Sequence, residues 1–281
     1  MKYVVHGDSR DRNYTAYPNA SSFRLAVPQK LRFVTSVQIL SAELPFSWNT
    51  FAASRNNTSV IISVNGTPST LTIPDGNYDT SSIASTLVGL LNAAFVGRTF
   101  TCTVSSTTLK FTITSSVGTD TIAIDASAAS SKTSLAWRLG FPEGVVTSGG
   151  ATGTVSGSYA VSLSPETYVF LVIDELQSSA SLQSAAGGIQ MSAKAPLGKL
   201  QIRGDPFTYN FVGTGSESLG MATIELNPAL SQLNFMTVSL RFKDGSLVNL
   251  GNADEYSFSL LLSTDLQIRR DEDIGGTRIF R

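Results

Sequence analysis

The chain of 281 residues has one cysteine and one histidine, and only 15% of its residues are Asp, Glu, Lys or Arg. A lone cysteine, Cys102, excludes an intramolecular disulfide and any zinc site built on a cysteine cluster. A lone histidine, His6, leaves a Ser/His/Asp triad one candidate base, and no Gly-x-Ser-x-Gly elbow accompanies it. Neither a Gly-x-x-x-x-Gly-Lys-Ser/Thr loop nor a dinucleotide-binding glycine fingerprint occurs, so nucleotide chemistry has no support and no cofactor is expected. With 20 basic against 21 acidic residues the net charge is −1, and no overall field draws the chain to nucleic acid or to an anionic membrane. No segment approaches the roughly 20 apolar residues of a membrane span, and the N-terminal apolar stretch is far shorter than a signal-peptide core. A soluble protein made in the cytoplasm is expected.

Catalytic constellations are also missing. Acidic residues stand side by side at Asp174-Glu175, Asp254-Glu255 and Asp271-Glu272-Asp273. Neighbours on a strand point to opposite faces, so none of these sets makes a two-carboxylate glycosidase site by itself. Asp8-Ser9-Arg10-Asp11 lacks the Asp-x-Asp-x-Asp-Gly ladder of a calcium loop, and its arginines oppose a cation, so no metal site is assigned. Cys102 lies in "FTCTVS" and is expected to point inward, with Phe100 or Val104 on the other face; no His or Lys beside it in sequence lowers its pKa. No catalytic residue is assigned, and an enzyme is not expected. Asn13 and Asn57 match the Asn-x-Ser/Thr acceptor pattern, which in a Ser/Thr-rich chain without a signal peptide reads as coincidence.

What the chain does have is serine, threonine and alternation. Hydroxyl-bearing exposed strand faces account for the low charge, and low surface charge leaves little to resist association. "SFRLAVPQKL" and "FVTSVQILSAELPFSW" read as two strands separated near Pro28. Asn65-Gly66, between two apolar alternations, predicts a two-residue hairpin turn. "DTSSIASTLVGLLNAAF" places Ile83, Leu87, Leu90, Leu91 and Ala94 at helical spacing, with Asp79 or Thr80 as N-cap and Tyr78 stapling onto Ile83. "FTCTVS", "TLKFTIT" and "TIAID" are short strands, and "SSKTSLAWRLGF" is a second helix ending at Gly140. Residues 59–141 therefore read as an inserted α+β unit, and the Gly/Ser/Thr-rich stretch 142–158 as a flexible linker. "TYVFLVIDEL", "GKLQIRG", "MATIEL", "FMTVSLRF", "SLVNL" and "YSFSLLLSTDLQI" return to strands, with a hairpin at Lys243-Asp244-Gly245. The fold class expected is mainly β: a jelly-roll-like β-sandwich of residues 1–58 plus 159–270, followed by a C-terminal tail, 271–281.

The most concentrated charge is in "GDSRDRNYTAYPNASSFRL", where Asp8, Arg10, Asp11 and Arg12 alternate in sign ahead of a strand. Planar bidentate contacts to carboxylates suit these arginines to pinning an N-terminal arm, either to its own sandwich or to a neighbouring subunit. Apolar contact would come from Phe46, Trp48, Phe51 and the tail residues Ile279 and Phe280; the alternative for Trp48 is ordinary core.

Six segments in order, "DSRDRNYTAYPNASSFRL", "VTSVQILSAELPFS", "IPDGNYDTSSIASTLVGLLN", "LAWRLGF", "YVFLVIDEL" and "LNPALSQLNFMTVSLRFKDGSLVNLGNADEYSFSLLL", resemble the minor capsid proteins of large icosahedral double-stranded DNA viruses of the phycodnavirus and marseillevirus type. The resemblance spans about nine tenths of the chain. It implies a jelly-roll sandwich with an inserted α+β unit and no catalytic residues. It also implies a place in the capsid shell of the virion, under or between the double-jelly-roll capsomers of the major capsid protein. Where such chains often carry histidine, before the Ser-Phe-x-Leu strand, this one has Glu255-Tyr256.

Expected partners are the major capsid protein and other minor capsid proteins, cemented from the inner face through protein–protein contacts, and no nucleic acid. Self-association and contact with an inner viral membrane stay open. Partner-binding candidates are Asp8, Arg10, Asp11, Arg12, Trp48, Ile279 and Phe280. A carbohydrate-binding or attachment sandwich of a virion or phage tail is the alternative function.

Overall fold

In the computed structural model the described residues are 1–127, 134–150, 152–176, 196–202, 208–213, 223–250 and 254–265. The chain divides into two compact units, Met1–Trp48 with Glu166–Arg281, and Asn49–Pro165. The first contains β1 (Lys2–Asp8), a 3-10 turn (Ser9–Asp11) and β2 (Ser22–Pro45). The second holds β3 (Ser59–Val64), β4 (Thr67–Thr72), α1 (Thr80–Ala94), β5 (Phe100–Val104), β6 (Phe111–Ser115), β7 (Ile122–Asp125), α2 (Leu135–Arg138), β8 (Val145–Thr147) and β9 (Thr154–Ser156). The chain then completes the first unit with β10 (Tyr168–Ile173), β11 (Gly198–Gln201), β12 (Tyr209–Gly213), β13 (Ile224–Arg241) and β14 (Ser257–Thr264).

The strands of the first unit form one antiparallel sheet in the order β1-β14-β2-β13-β10-β11, with β12 also paired to β2. At 24 and 18 residues, β2 and β13 are several times the usual strand length, and they bend rather than run flat. The buried apolar side chains of β2 change phase along the strand: Phe23, Leu25, Val27, Leu31 and Phe33, then Val34, then Val37 and Ile39, then Ala42 and Leu44, with register shifts against β14 between Ser259 and Leu260 and between Ser263 and Thr264. Phe33, with φ at 53°, lies where the phase first changes. The first half of β2 pairs with β13, whereas β14 joins it only from Val34 onward. Bending brings the halves together: Phe23 packs on Tyr256, just ahead of β14, with ring centroids 5.6 Å apart. Both halves feed one apolar core with β10, β11, β13 and β14. Each large apolar side chain fully buried there contributes about 1.5–3 kcal/mol. The unit is a β-sandwich of jelly-roll character, as expected.

Several boundaries differ from the sequence reading. The two strands anticipated on either side of Pro28 are one. Ala26 pairs with Phe235 and Leu31 with Leu233, so residues 27–30 stand opposite Asn234 alone. Pro28 sits in this outward bulge, where a ladder donor is not required. Ile224–Leu226 of "MATIEL" and Phe235–Arg241 of "FMTVSLRF" likewise belong to one strand, β13, while "SLVNL" contributes only an isolated bridge from Leu247 to Arg241.

In the second unit, the sheets β4-β3-β7-β8 and β5-β6-β9 share one core with α1 and α2. Asn65 and Gly66, with φ at 50° and 80°, make the anticipated hairpin turn. Asp79 caps α1, accepting from the Ser82 amide at 2.7 Å while Ser82 Oγ accepts from the Asp79 amide at 3.0 Å. Ile83, Leu87 and Leu91 are its buried stripe. Residues 142–158, anticipated as a flexible linker, instead carry β8 and β9, which pair with β7 and β6. Strands of three residues each, set between glycine turns, carry no readable period. The compact unit accordingly runs from Asn49 to Pro165 and is wider than 59–141. Phe100, Cys102 and Val104 all lie on the core-facing side of β5, because a period of two puts alternate residues on one face; the expected opposition of Cys102 to Phe100 or Val104 is corrected.

Candidate interaction site

The charged arm begins as an edge strand. β1 pairs with β14 from Lys2–Ser263 to Asp8–Ser257. Gly7 lies flat on an aromatic ring: a Cβ there would stand 2.3 Å from Phe258 Cζ, so only glycine allows the arm to lie this close. At the end of the strand the Asp8 carboxylate accepts from the Arg10 amide at 2.9 Å and caps the 3-10 turn.

Beyond that point the alternating charges separate into two roles. Arg10 reaches back to Asp8, Nη2 to Oδ2 at 2.5 Å, with its side chain 70% exposed. This pairing lowers the Asp8 carboxyl below its ordinary range and raises the Arg10 guanidinium. Asp11 is exposed and adds a weaker attraction to Arg10. Arg12, by contrast, has a side chain only 1% exposed. Its Nε donates to Tyr17 O at 2.9 Å, its Nη1 to Ser9 O at 2.7 Å and to Glu255 Oε2, and its Nη2 to Pro18 O at 3.3 Å. The Tyr14 ring covers the guanidinium at 4.2 Å. Ser9 completes the lock: its hydroxyl donates to Glu255 Oε2 at 2.5 Å and accepts from the Tyr256 amide at 2.8 Å.

The loop that follows is a series of side-chain-closed turns. Asn13 Oδ1 accepts from the amides of Thr15 and Ala16 at 3.0 and 3.1 Å, and Asn19 Oδ1 from Ser21 at 2.8 Å. "DSRDRNYTAYPNASS" thus reads as a loop wound around one buried arginine. Of its four charges, Arg12 is spent on its own chain, and Asp8, Arg10 and Asp11 remain at the surface. Glu255, the counter-charge of Arg12, lies 243 residues away and carries no local signal; its pairing could not be read from sequence.

The other candidates resolve differently. Trp48 is 1% exposed and packs between Phe46 and Phe242, with centroids at 4.8 and 6.0 Å. Phe46 and Phe51 are equally buried. A side chain so enclosed offers a partner no surface, and the partner role expected of Trp48 is corrected to core packing. Ile279, Phe280 and the tail 271–281 lie outside the described residues.

Of the chemically versatile side chains, His6 Nδ1 is 2.8 Å from Ser259 Oγ, an exposed contact across the β1–β14 pair. No carboxylate orients the other ring nitrogen among the described residues. Burial pushes the Cys102 thiol up to about 12, away from the reactive thiolate. Among the described residues no group of three His, Cys, Asp or Glu side chains is placed to hold a metal ion.

Comparison with known proteins gives one family and one solved structure to report. The model of a family of unknown function, DUF5901, matches residues 1–235, from the arm through most of β13. No curated protein matches the chain. The crystal structure of the selenomethionine-labelled mavirus penton protein is similar over 94% of this chain and 100% of that one, at 12% identity and a TM-score of 0.47. Values this low leave function to be argued from the chain itself.

Proposed function

We propose a structural role for this chain, which belongs to the family of unknown function DUF5901: it is a minor capsid protein that cements the capsomers of the major capsid protein from the inner face of a viral shell. The observation that carries this role is where the six resembling segments fall. The first forms β1's end, the Arg12 lock and the entry to β2; the second is the far half of β2. The third is the approach to α1 and α1 itself, the fourth α2, the fifth β10, and the sixth β13 with β14. Together they make the framework of both units, the expected pattern when a resemblance is carried by architecture and not by one site.

Three further features support a role in assembly. The arm is tied down by an internal ion pair, so the exposed Arg10 and Asp11 and the half-buried Asp8 are presented on a fixed turn. The strand faces carry hydroxyls and few charges, leaving little repulsion against neighbours. Cys102 and His6 sit in surroundings that suit packing and strand pairing rather than catalysis. The chain is accordingly given no reaction, and its partners are other capsid proteins of the virion, made in the host cytoplasm. Of the exposed aromatic side chains, Tyr14 and Phe235 are each stacked under an arginine and Tyr159 lies against Trp137, which does not favour sugar binding by open rings.

Quantitative mass spectrometry of purified virions, opened stepwise with salt and mild denaturant, tests the role. The chain should be recovered in many copies and leave only as the major capsid protein leaves. Absence from virions, or loss with outer-surface proteins, would overturn it.

A further inference from the structure

One outer face of the sandwich carries exposed cations that form no ion pair among the described residues. Arg24 on β2 stands opposite Thr237 on β13, and Ala26 opposite Phe235, so Arg24 and Phe235 share the face turned away from the core. The Arg24 guanidinium lies over the Phe235 ring, 3.2 Å from its centroid. Across β10, Phe170 pairs with Arg241 on one side and Lys199 on the other, continuing the same face. Lys199 Nζ lies 4.0 Å over the Tyr168 ring. Lys30 and Arg32 extend the charge along β2, and all four cations, Arg24, Lys30, Arg32 and Lys199, are exposed. None of the four has a carboxylate partner among the described residues. Glu175 brings a negative charge to this side of β13, but both its oxygens are bonded to the amide and hydroxyl of Thr237, at 2.6 and 2.7 Å, and not to Arg24.

We propose that this cationic, aromatic-backed face docks against a carboxylate-rich surface of a neighbouring capsid protein. The proposal rests on the capsid role argued above and adds the face and the chemistry of its partner. Stacking on Phe235 covers one side of the Arg24 guanidinium and holds it in place, leaving its in-plane N–H groups for bidentate contact with a carboxylate. Charge balance favours a protein over nucleic acid. The chain carries −1 in total, so with these four cations set aside the remainder is −5 (−1 − 4). A long polyanion meets that remainder as well as the face, whereas a protein contact meets the face alone. Spacing agrees: Arg24 and Lys199 are three strand intervals apart across the sheet, about 14 Å, and four residues apart along it, about 13 Å, too sparse to track a phosphate backbone with a charge every ~1.7 Å.

Zero-length carbodiimide cross-linking of purified virions, read by mass spectrometry, tests the proposal. Lys30 and Lys199 should be joined to Asp or Glu of another chain, and neither link should form in particles opened in high salt before the reagent is added. If the chain is present but both lysines accept a soluble acylating reagent as readily as in the isolated protein, the docking face is refuted while the capsid role stands. Protection of the lysines that vanishes on nuclease treatment would assign the face to nucleic acid and overturn the proposal. Absence of the chain from virions would overturn proposal and capsid role together.

Discussion

Arg12 is held by four acceptors of its own chain, while Arg10, two positions earlier, bonds only to Asp8 at the surface. The difference is a matter of solvent. A guanidinium removed from water must find partners for its N–H groups; removing it takes the counter-charge from Glu255, which keeps only hydroxyl donors, and the side-chain donors from the carbonyls of Tyr17 and Pro18. Arg12→Ala should therefore destabilise the first unit by about 3 kcal/mol in urea unfolding. Arg10→Ala should leave the midpoint unchanged within error, since exposed pairs are screened. Equal effects of the two would contradict the division of roles.

Asp120 is a second residue whose charge is structural. It is 1% exposed and accepts from Arg98 Nε at 2.8 Å, Ser115 Oγ at 2.6 Å and Asn65 Nδ2 at 2.8 Å. Hydrogen bonding from Arg98, then from Ser115, lowers its carboxyl from 3.8 to about 2. A folded-state value below the unfolded one means that the stabilisation is complete above the unfolded value and is lost as pH falls towards the folded one. Calorimetric melting should show the wild type losing stability as pH drops from about 5 to about 2. Asp120→Asn should melt lower at neutral pH and fall less over the same interval. A parallel fall would show that Asp120 does not govern the acid limb.

At the scale of elements, the arm is held by backbone pairing to β14 and by the contact of Gly7 with Phe258. A methyl group at position 7 must displace a ring that is 2% exposed in the core. Gly7→Ala should cost about 1–3 kcal/mol, as overpacking does. It should also speed amide hydrogen exchange of residues 2–8 beyond that of β13. Unchanged exchange in the arm would mean that the ring contact does not set its docking.

Elements defined by local chemistry could be read from the sequence. Asn65-Gly66 has to be a tight turn, Asp79 has an amide to cap three residues on, and Ile83, Leu87 and Leu91 fall on one helical face. Elements defined by what lies across from them could not. Pro28 looked like a strand boundary because the bulge that accommodates it depends on β13, some 200 residues later. Strands β8 and β9 are three residues each and acquire their status only from β7 and β6. In the candidate site, Asp8, Arg10, Asp11 and Arg12 stood out as a charge cluster, but which of them is buried depended on Glu255, far along the chain. The burial of Trp48 depended in the same way on Phe242.

For the whole molecule, the two units are each built on an apolar core of their own. A tied arm and a sheet face whose cations have no carboxylate partner among the described residues suit the packing among other subunits proposed above. The central claim is that this packing takes place inside a viral shell. Cryo-electron microscopy of the intact virion at a resolution that traces side chains tests it most directly. We predict density for the sandwich beneath or between capsomers on the inner face, with Arg24 and Lys199 turned towards a neighbouring subunit. A shell whose density is fully accounted for by other chains, or density for this one projecting from the outer surface, would contradict the account.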